Sequence, residues 1–334
     1  MRKYEAINIL SNAKTIALIG HSTPDADALC SMVVFKNFLN SKFNPTQIDI
    51  FAESKKLNNA YLQILDEEEL NPTPLNEYDF VITLDSSNIK LLGSNEFLLN
   101  RSIHTMSIDH HATNTHYAEF NIVDICSSTC ELVYKILSHF NYNFTDEDYG
   151  KLYGGILTDT GNLTVGAITE ETFKIAGACY NHCNGQEIYS LFFNNNSIKT
   201  QHIFAKAIEN SQIYNDDKIL IAYISKDQAN ELNATIDDYI GIVNRLAQTK
   251  GTELVSFIYP KDDYYYVSLR VKKGYDAATI AKRNGGGGHL GAAAFESFDS
   301  IDNIKNLVYS EFLNELKIKN LNFRKNPFKH WFLY

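Results

Sequence analysis

The chain has 334 residues, 44% hydrophobic and 21% charged, with a formal net charge of −10. That length supports a full hydrophobic core and two domains, in the balance of an ordinary globular protein. The acidity argues against a protein that coats long nucleic acid, which takes many Lys and Arg, but not against a short anionic substrate, because bound divalent cations reverse the local sign.

The first third alternates strand and helix signals. Thr15 to Gly20 is a short apolar run, followed by the polar loop His21 to Asp27 and a helix-spaced apolar set from Ala28 to Leu39. Strands are expected at 48–52, 79–84 and 103–108, with a helix at 58–69 between the first two. This βαβ rhythm predicts an α/β fold with a parallel sheet and flanking helices. Ser128 with Glu131 reads as a capping box opening a helix toward Phe140. Thr145 with Asp148 opens another that runs to Asp159, and Thr169 a third, with acids in its first turn where the helix dipole favours them. Cys126/Cys130 and Cys179/Cys183 are each four apart on expected helices and read as small buried hydrophobes rather than zinc ligands, which need tighter spacing and a closing pair.

The Asn-rich stretch 192–197 marks a boundary, so the expected division is 1–187, a linker over 188–205, a smaller α/β domain over 206–320 and a tail over 321–334. In the second part, strands at 219–225, 253–259 and 264–271 and helices at 226–232, 236–248 and 276–283 are expected, with a hairpin turn at 260–263. Gly285 to Gly288 and His289 follow, and then a small-residue helix. No run reaches the ~18 apolar residues of a membrane helix, and the N-terminus lacks a signal-peptide pattern. Five cysteines without such a signal point to free thiols in a cytoplasmic protein.

Four acidic sites fall where strands or a Gly-rich helix end. His21, Asp25 and Asp27 follow the first strand, Asp85 follows 80–84, Asp109-His110-His111 follows Ile108, and Asp159 closes 154–159. Taken singly, Asp27 reads as an N-cap and Asp25 and Asp85 as turn residues. Together, His21, Asp25, Asp27, Asp85, His110 and Asp159 at the carboxyl edge of one sheet form an oxygen-rich set with two imidazoles and no thiolate. Such a set suits two divalent cations, Mn²⁺ first, with Mg²⁺ or Co²⁺ as alternatives. Carboxylates this close need cations to be stable.

The segments His21-x-x-Pro24-Asp25-x-Asp27, Asp85, Asp109-His110-His111 and Asp159-Thr160-Gly161 resemble, in order, the motifs of the DHH phosphoesterase family. The run Gly285 to His289 followed by Ala292-Ala293 resembles the signature of the DHH-associated C-terminal domain (DHHA1). Two such domains in this length resemble the NrnA type, whose members degrade very short RNA and dephosphorylate 3′-phosphoadenosine 5′-phosphate (pAp). The resemblance implies that His21, Asp25 and Asp85 hold one metal, and that Asp27, Asp85, His110 and Asp159 hold the other. Asp85 would bridge, Asp109 would orient the histidines, and His111 would contact a phosphate oxygen. It further implies that Arg270, His289 and the backbone of Gly286, Gly287 and Gly288 bind substrate, with the active site in an interdomain cleft. Ala294 departs from the family's frequent glycine, an exchange expected to tighten the loop.

The expected reaction is two-metal hydrolysis of short RNA or DNA oligonucleotides or pAp to nucleoside monophosphates. The alternatives are a RecJ-like single-strand exonuclease and, from another class, a nucleotide sensor without turnover. No membrane partner is expected, and a homodimer is admissible.

Overall fold

Short β-branched and apolar runs give the first unit a parallel sheet, because each crossover, helical or not, returns the chain to the same end. The computed structural model describes residues 4–52, 63, 70–194, 197–272, 274–288 and 290–325. The expected helix at 58–69 lies outside them, apart from Gln63. The chain divides into two units, Met1–Asn195 and Asn196–Tyr334.

In the first unit, strands β1 (Thr15–Ile19), β2 (Gln47–Phe51), β3 (Tyr78–Leu84), β4 (Ser102–Asp109) and β5 (Phe120–Val123) are ordered 2-1-3-4-5. All neighbouring pairs are parallel. Alternate residues serve two faces. Ile16, Leu18, Ile82, Leu84, Met106 and Ile108 join the core with helices α1 (Ala26–Phe43) and α2 (Thr129–His139). Ala17, Ile19, Tyr78 and Val81 face Leu92 and Leu98 of the 3₁₀ segment Ile89–Arg101. A sheet covered on both faces needs such strands, apolar at nearly every position. Helix α1 is buried on most sides because it packs on α2 and on α3 (Asp146–Asp159) as well as on strands. Helices α4 (Glu170–His182) and α5 (Gly185–Phe193) complete the unit.

The capping signals work mostly as read. Thr145 and Asp148 exchange the two bonds of a capping box, and Thr169 caps α4. Ser128 accepts from Glu131 N, but the Glu131 carboxylate accepts from Ser127 and not from the Ser128 backbone. Strand β1 is the point from which the chain proceeds to β2 on one side and β3 on the other. The carboxyl ends of β1 and β3 therefore open side by side at the switch point, where such sheets bind ligands.

In the second unit, β6 (Gln212–Tyr214), β7 (Ile219–Tyr223), β8 (Leu254–Lys261), β9 (Tyr264–Val271), β10 (Gly287–Gly288) and β11 (Ala292–Ser297) form a mixed sheet ordered 10-11-9-8-7-6. One face packs under α10 (Ile301–Lys325), where Ile304, Val308 and Phe312 meet Ile258, Val267 and Leu269. On the other, residues of α6 (Ile198–Glu209) and α8 (Ile242–Leu246) cover Leu220, Val255 and Phe257. Helices α7 (Lys226–Glu231) and α9 (Ala277–Arg283) flank the sheet.

Two expectations for this unit are corrected. The helix expected at 236–248 is broken into a 3₁₀ turn, Ile236–Tyr239, and α8, because Gly241 turns with φ +80 between them. The small-residue helix expected after position 289 is strand β11. Its alanines pair with β9, so the ladder overrides helix propensity. Expected linker residues carry helix at both ends, in α5 and α6, and the two-unit division falls at Asn195–Asn196. Residues 326–334 of the expected tail lie outside the described residues.

Candidate metal centre

Each strand end delivers one part of the site. After β1 the loop turns into α1 with Asp25 as N-cap, its Oδ1 accepting from Ala28 N at 3.0 Å. Asp27 lies in the first turn of α1, fully buried, and does not cap its own helix. Its oxygens accept from Thr129 N at 2.7 Å and Cys130 N at 2.8 Å, the open amino end of α2. A helix N-terminus favours an anion there. Asp85, one residue past β3, takes a left-handed φ of 57, and its N–H donates to Ile108 O at 3.1 Å. Asp159 ends α3, where Gly155 permits the approach of α1 and α2: a Cβ there would strike Cys130 Sγ and stand 2.9 Å from Asp27 Oδ1.

These side chains converge. Asp85 Oδ2 lies 3.6 Å from His21 Nε2, which is 3.8 Å from Asp25 Oδ2. Asp85 Oδ1 lies 3.5 Å from His110 Nε2, and the same nitrogen is 3.5 Å from Asp159 Oδ2. Three groups of possible ligand atoms result, each within 4.8 Å: His21, Asp25 and Asp85; Asp85, His110 and His111; Asp27, His110 and Asp159. All six sequence-predicted ligands are thus brought together at one sheet edge.

The residues around them fix orientation. His110 Nδ1 is 3.1 Å from Cys126 O, which turns Nε2 into the cluster. Asp109, buried, reaches only the second histidine, His111 Nδ1 at 2.7 Å, and accepts from Asn114 Nδ2 at 2.7 Å. The orienting role expected of Asp109 for both histidines is therefore divided between Asp109 and a backbone carbonyl. Thr129 Oγ1 donates to Asp85 Oδ1 at 2.9 Å. Asn114, Cys126 O and Thr129 were not singled out from the sequence; the Thr129 and Cys126 bonds join separate segments, and that of Asn114 spans a loop with no regular spacing.

The electrostatics are those of anions short of a counter-charge. Burial, reinforced by the Asp25 charge, pushes the Asp85 carboxyl up to about 6 against the pull of the histidines. Burial and the charges of Asp85 and Asp159 hold the Asp27 carboxyl well above the usual range. Burial opposes charge on His110, but the carboxylates of Asp27, Asp85 and Asp159 outweigh it and carry the imidazole up to about 9. Burial works against ionisation of Asp109 too, yet its bonds from His111 and Asn114 keep that carboxyl low.

Divalent cations fit these residues. His110 Nε2 is a buried nitrogen with no hydrogen-bond partner, the position of a nitrogen awaiting a ligand bond. The donor set is made of carboxylates and imidazoles, the ligands of hard and borderline divalent cations.

In the second unit, Arg270 Nε donates to Asn244 Oδ1 at 2.7 Å and Nη1 to Leu269 O at 2.9 Å. Burial depresses the guanidinium, and no acidic side chain pairs with it among the described residues. The glycine run is less free than its composition suggests. Gly286 N donates to Ala281 O at 2.8 Å, closing α9, so this N–H is not available to an anion. Gly287 and Gly288 pair with Ala294 and Ala293 and remain exposed. A Cβ on Gly288 would meet Ala293 Cα at 2.5 Å, so strand approach requires glycine there. His289 lies outside the described residues.

Residues 15–158 match the family described as "DHH family, N-terminal domain", and residues 216–316 match the DHHA1 domain. The chain is 26% identical over 305 residues to the "Probable bifunctional oligoribonuclease and PAP phosphatase NrnA" of Streptococcus mutans, covering 91% of this chain and 95% of that protein. Its fold is similar to that of an exopolyphosphatase-related protein from Bacteroides fragilis, with a TM-score of 0.87 at 20% identity, covering 96% and 97% of the two chains. RecJ from Thermus thermophilus, solved with Mn²⁺, gives a TM-score of 0.53 at 13% identity, covering 92% of this chain and 54% of RecJ. Among the described residues, no helix is long and apolar enough to cross a membrane.

Proposed function

Because this chain is a DHH-family phosphoesterase carrying a DHHA1 domain, we propose that it hydrolyses short oligonucleotides and pAp to nucleoside monophosphates using two divalent cations, Mn²⁺ first, in the cytoplasm. The observation that carries this reading is the two-sided use of Asp85. One carboxylate oxygen faces His21 and the other faces His110, as a ligand shared by two ions requires.

His21, Asp25 and Asp85 would hold one ion, and Asp27, Asp85, His110 and Asp159 the other. Bound together, such ions lower the pKa of water and neutralise charge on a phosphoryl group. The chain's own groups do the rest. His111, held at Nδ1 by Asp109, keeps its other nitrogen for a phosphate oxygen and needs no general-base role. Thr129 and the amino end of α2 fix Asp85 and Asp27, so little reorganisation remains at the moment of reaction. Arg270, steered by Asn244, offers its remaining donors to a substrate phosphate. Gly287 and Gly288 can approach that anion closely, having no side chains.

The choice of short substrates rests on the relative from Streptococcus mutans, on full-length coverage of it, and on the net charge of −10. The test is an end-product assay with Mn²⁺ and labelled dinucleotide, pentanucleotide, long oligonucleotide and pAp. Loss of the short substrates is expected, and preferential loss of the long one would overturn the substrate class.

A further inference from the structure

One face of the second sheet carries rings and a cation that the contacts above leave unused. Directly paired residues share a face, so the pairs Val255–Arg270, Phe257–Ser268, Tyr259–Tyr266 and Lys261–Tyr264 set Lys261, Tyr264, Tyr266 and Arg270 on one side. In the run Tyr264-Tyr265-Tyr266, the middle ring points the other way and is buried in the core under α10. The outer two belong to no core cluster among the described residues and stay half-exposed. The middle tyrosine is therefore a packing residue, and its neighbours are not.

The outer rings associate with one another and with a cation. Tyr259 and Tyr266 have centroids 5.5 Å apart, and Tyr264 lies 5.6 Å from Phe298, which is 78% exposed. The Lys261 ammonium sits 5.6 Å from the centroids of both Tyr264 and Tyr266. Glu296, across the ladder from Tyr266, is exposed, and its charge acts on Lys261. Along β9, Tyr266 is four residues from Arg270, about 14 Å at ~3.4 Å per residue. The two side chains bridge part of that backbone span, since Tyr266 acts electrostatically on the Arg270 guanidinium, so the rings continue outward from the phosphate contact.

Aromatic faces interleaved with cations are the chemistry that holds single-stranded nucleic acid without reading its sequence. We propose that Tyr266 and Tyr264, with Lys261 between them, form a stacking shelf for nucleotides beyond the one whose phosphate Arg270 contacts. The shelf gives the chain a preference for oligonucleotides of several residues over dinucleotides. The ligand is a single strand, since a base inside a duplex has both faces covered by its stacked neighbours. This inference rests on the proposed phosphate contact of Arg270 and on short oligonucleotides as substrates.

The test measures kcat/KM for a pentanucleotide and a dinucleotide on the full chain with Mn²⁺. Separately, anisotropy of a fluorescent pentanucleotide and dinucleotide without added metal reads binding alone. Tyr266→Ala is expected to reduce the pentanucleotide-to-dinucleotide ratio about tenfold in both readouts, the worth of one lost stack. Tyr266→Phe keeps a ring and is expected to restore the ratio, and Glu296→Gln to raise it. Equal losses on both substrates, or an unchanged ratio, would overturn the shelf. A wild-type chain that binds the pentanucleotide through Tyr266 yet cleaves neither substrate would sink the proposed activity while upholding the shelf.

Discussion

The two units hold their charged groups in opposite ways. At the sheet edge of the first, the charged side chains are held by backbone groups or buried partners: Asp27 by two backbone N–H groups, Asp85 by Thr129, His110 by a carbonyl, His111 by a buried carboxylate. On the face of the second sheet that α6 and α8 cover in part, Arg270 is held by one amide side chain and one carbonyl, while half-exposed Tyr266 and Tyr264 rest against Tyr259 and the exposed Phe298. A metal centre needs ligand atoms placed to a fraction of an ångström, whereas a strand of variable sequence needs tolerant, sticky surface. On the proposed reading, rigid chemistry and permissive binding fall to different units.

That contrast breaks first at Asp85. Asp85→Ala is expected to reduce Mn²⁺-dependent hydrolysis of a dinucleotide at least ~10³-fold, since several kcal/mol of charge stabilisation depend on the ions it joins. Near-normal turnover would remove Asp85 from the ligand set. A chelator-treated chain should lose hydrolysis and regain it with Mn²⁺, with a rise in Tm on adding the ion; an unchanged Tm across Mn²⁺ concentrations would contradict a built site.

Next come the supporting groups. Thr129→Val keeps shape but removes the donor to Asp85, so the Mn²⁺ concentration giving half-maximal activity should rise about 10- to 100-fold. Arg270→Ala should raise KM roughly tenfold or more with a smaller change in kcat, the signature of lost binding, and Asn244→Ala should do the same more weakly. If Arg270→Ala altered kcat alone, the arginine would act in the transition state instead.

The smallest effect concerns stability alone. Glu131, buried, accepts from Ser127 Oγ and Lys135 Nζ, both at 2.5 Å, and from Thr172 Oγ1 at 2.7 Å. Burial opposes its ionisation, but these donors, Lys135 first, hold the carboxyl below its ordinary value. A depressed carboxyl stabilises the fold above the ordinary range near ~4.3 and loses that contribution as pH falls through the folded value. Glu131→Gln should therefore cost about 1–3 kcal/mol at neutral pH, and its difference from wild type should shrink in urea titrations run at progressively lower pH.

Much of the fold was legible because its signals are local. Strands β1 to β4 announce themselves as apolar runs, and Thr145, Thr169 and Asp276 mark helix starts with their own side chains. The acids at strand ends could be collected for the same reason: a parallel sheet puts all its carboxyl ends on one edge. Strand β5 and strand β11 were missed, the first because four residues carry little period, the second because alanines read as helix until paired. Asp25 and Asp27 were both legible as acids, but not their division of labour. Asp25 caps α1, two residues from where the pattern suggests, while Asp27 caps a helix more than a hundred residues away. Partnerships such as Asn244 with Arg270 are set by tertiary contact and leave no trace in spacing.

The seat of Asp27 has one more consequence. Lying on α1 and closing the amino end of α2, its carboxylate fastens two helices, leaves no room for a side chain at Gly155 of α3, and faces His110 and Asp159. A descendant chain that abandoned catalysis would still need an acceptor at this position to keep those helices seated. An acid at 27 is therefore poor testimony that a relative is active. Asp159, which caps no helix and faces His110, is the better witness.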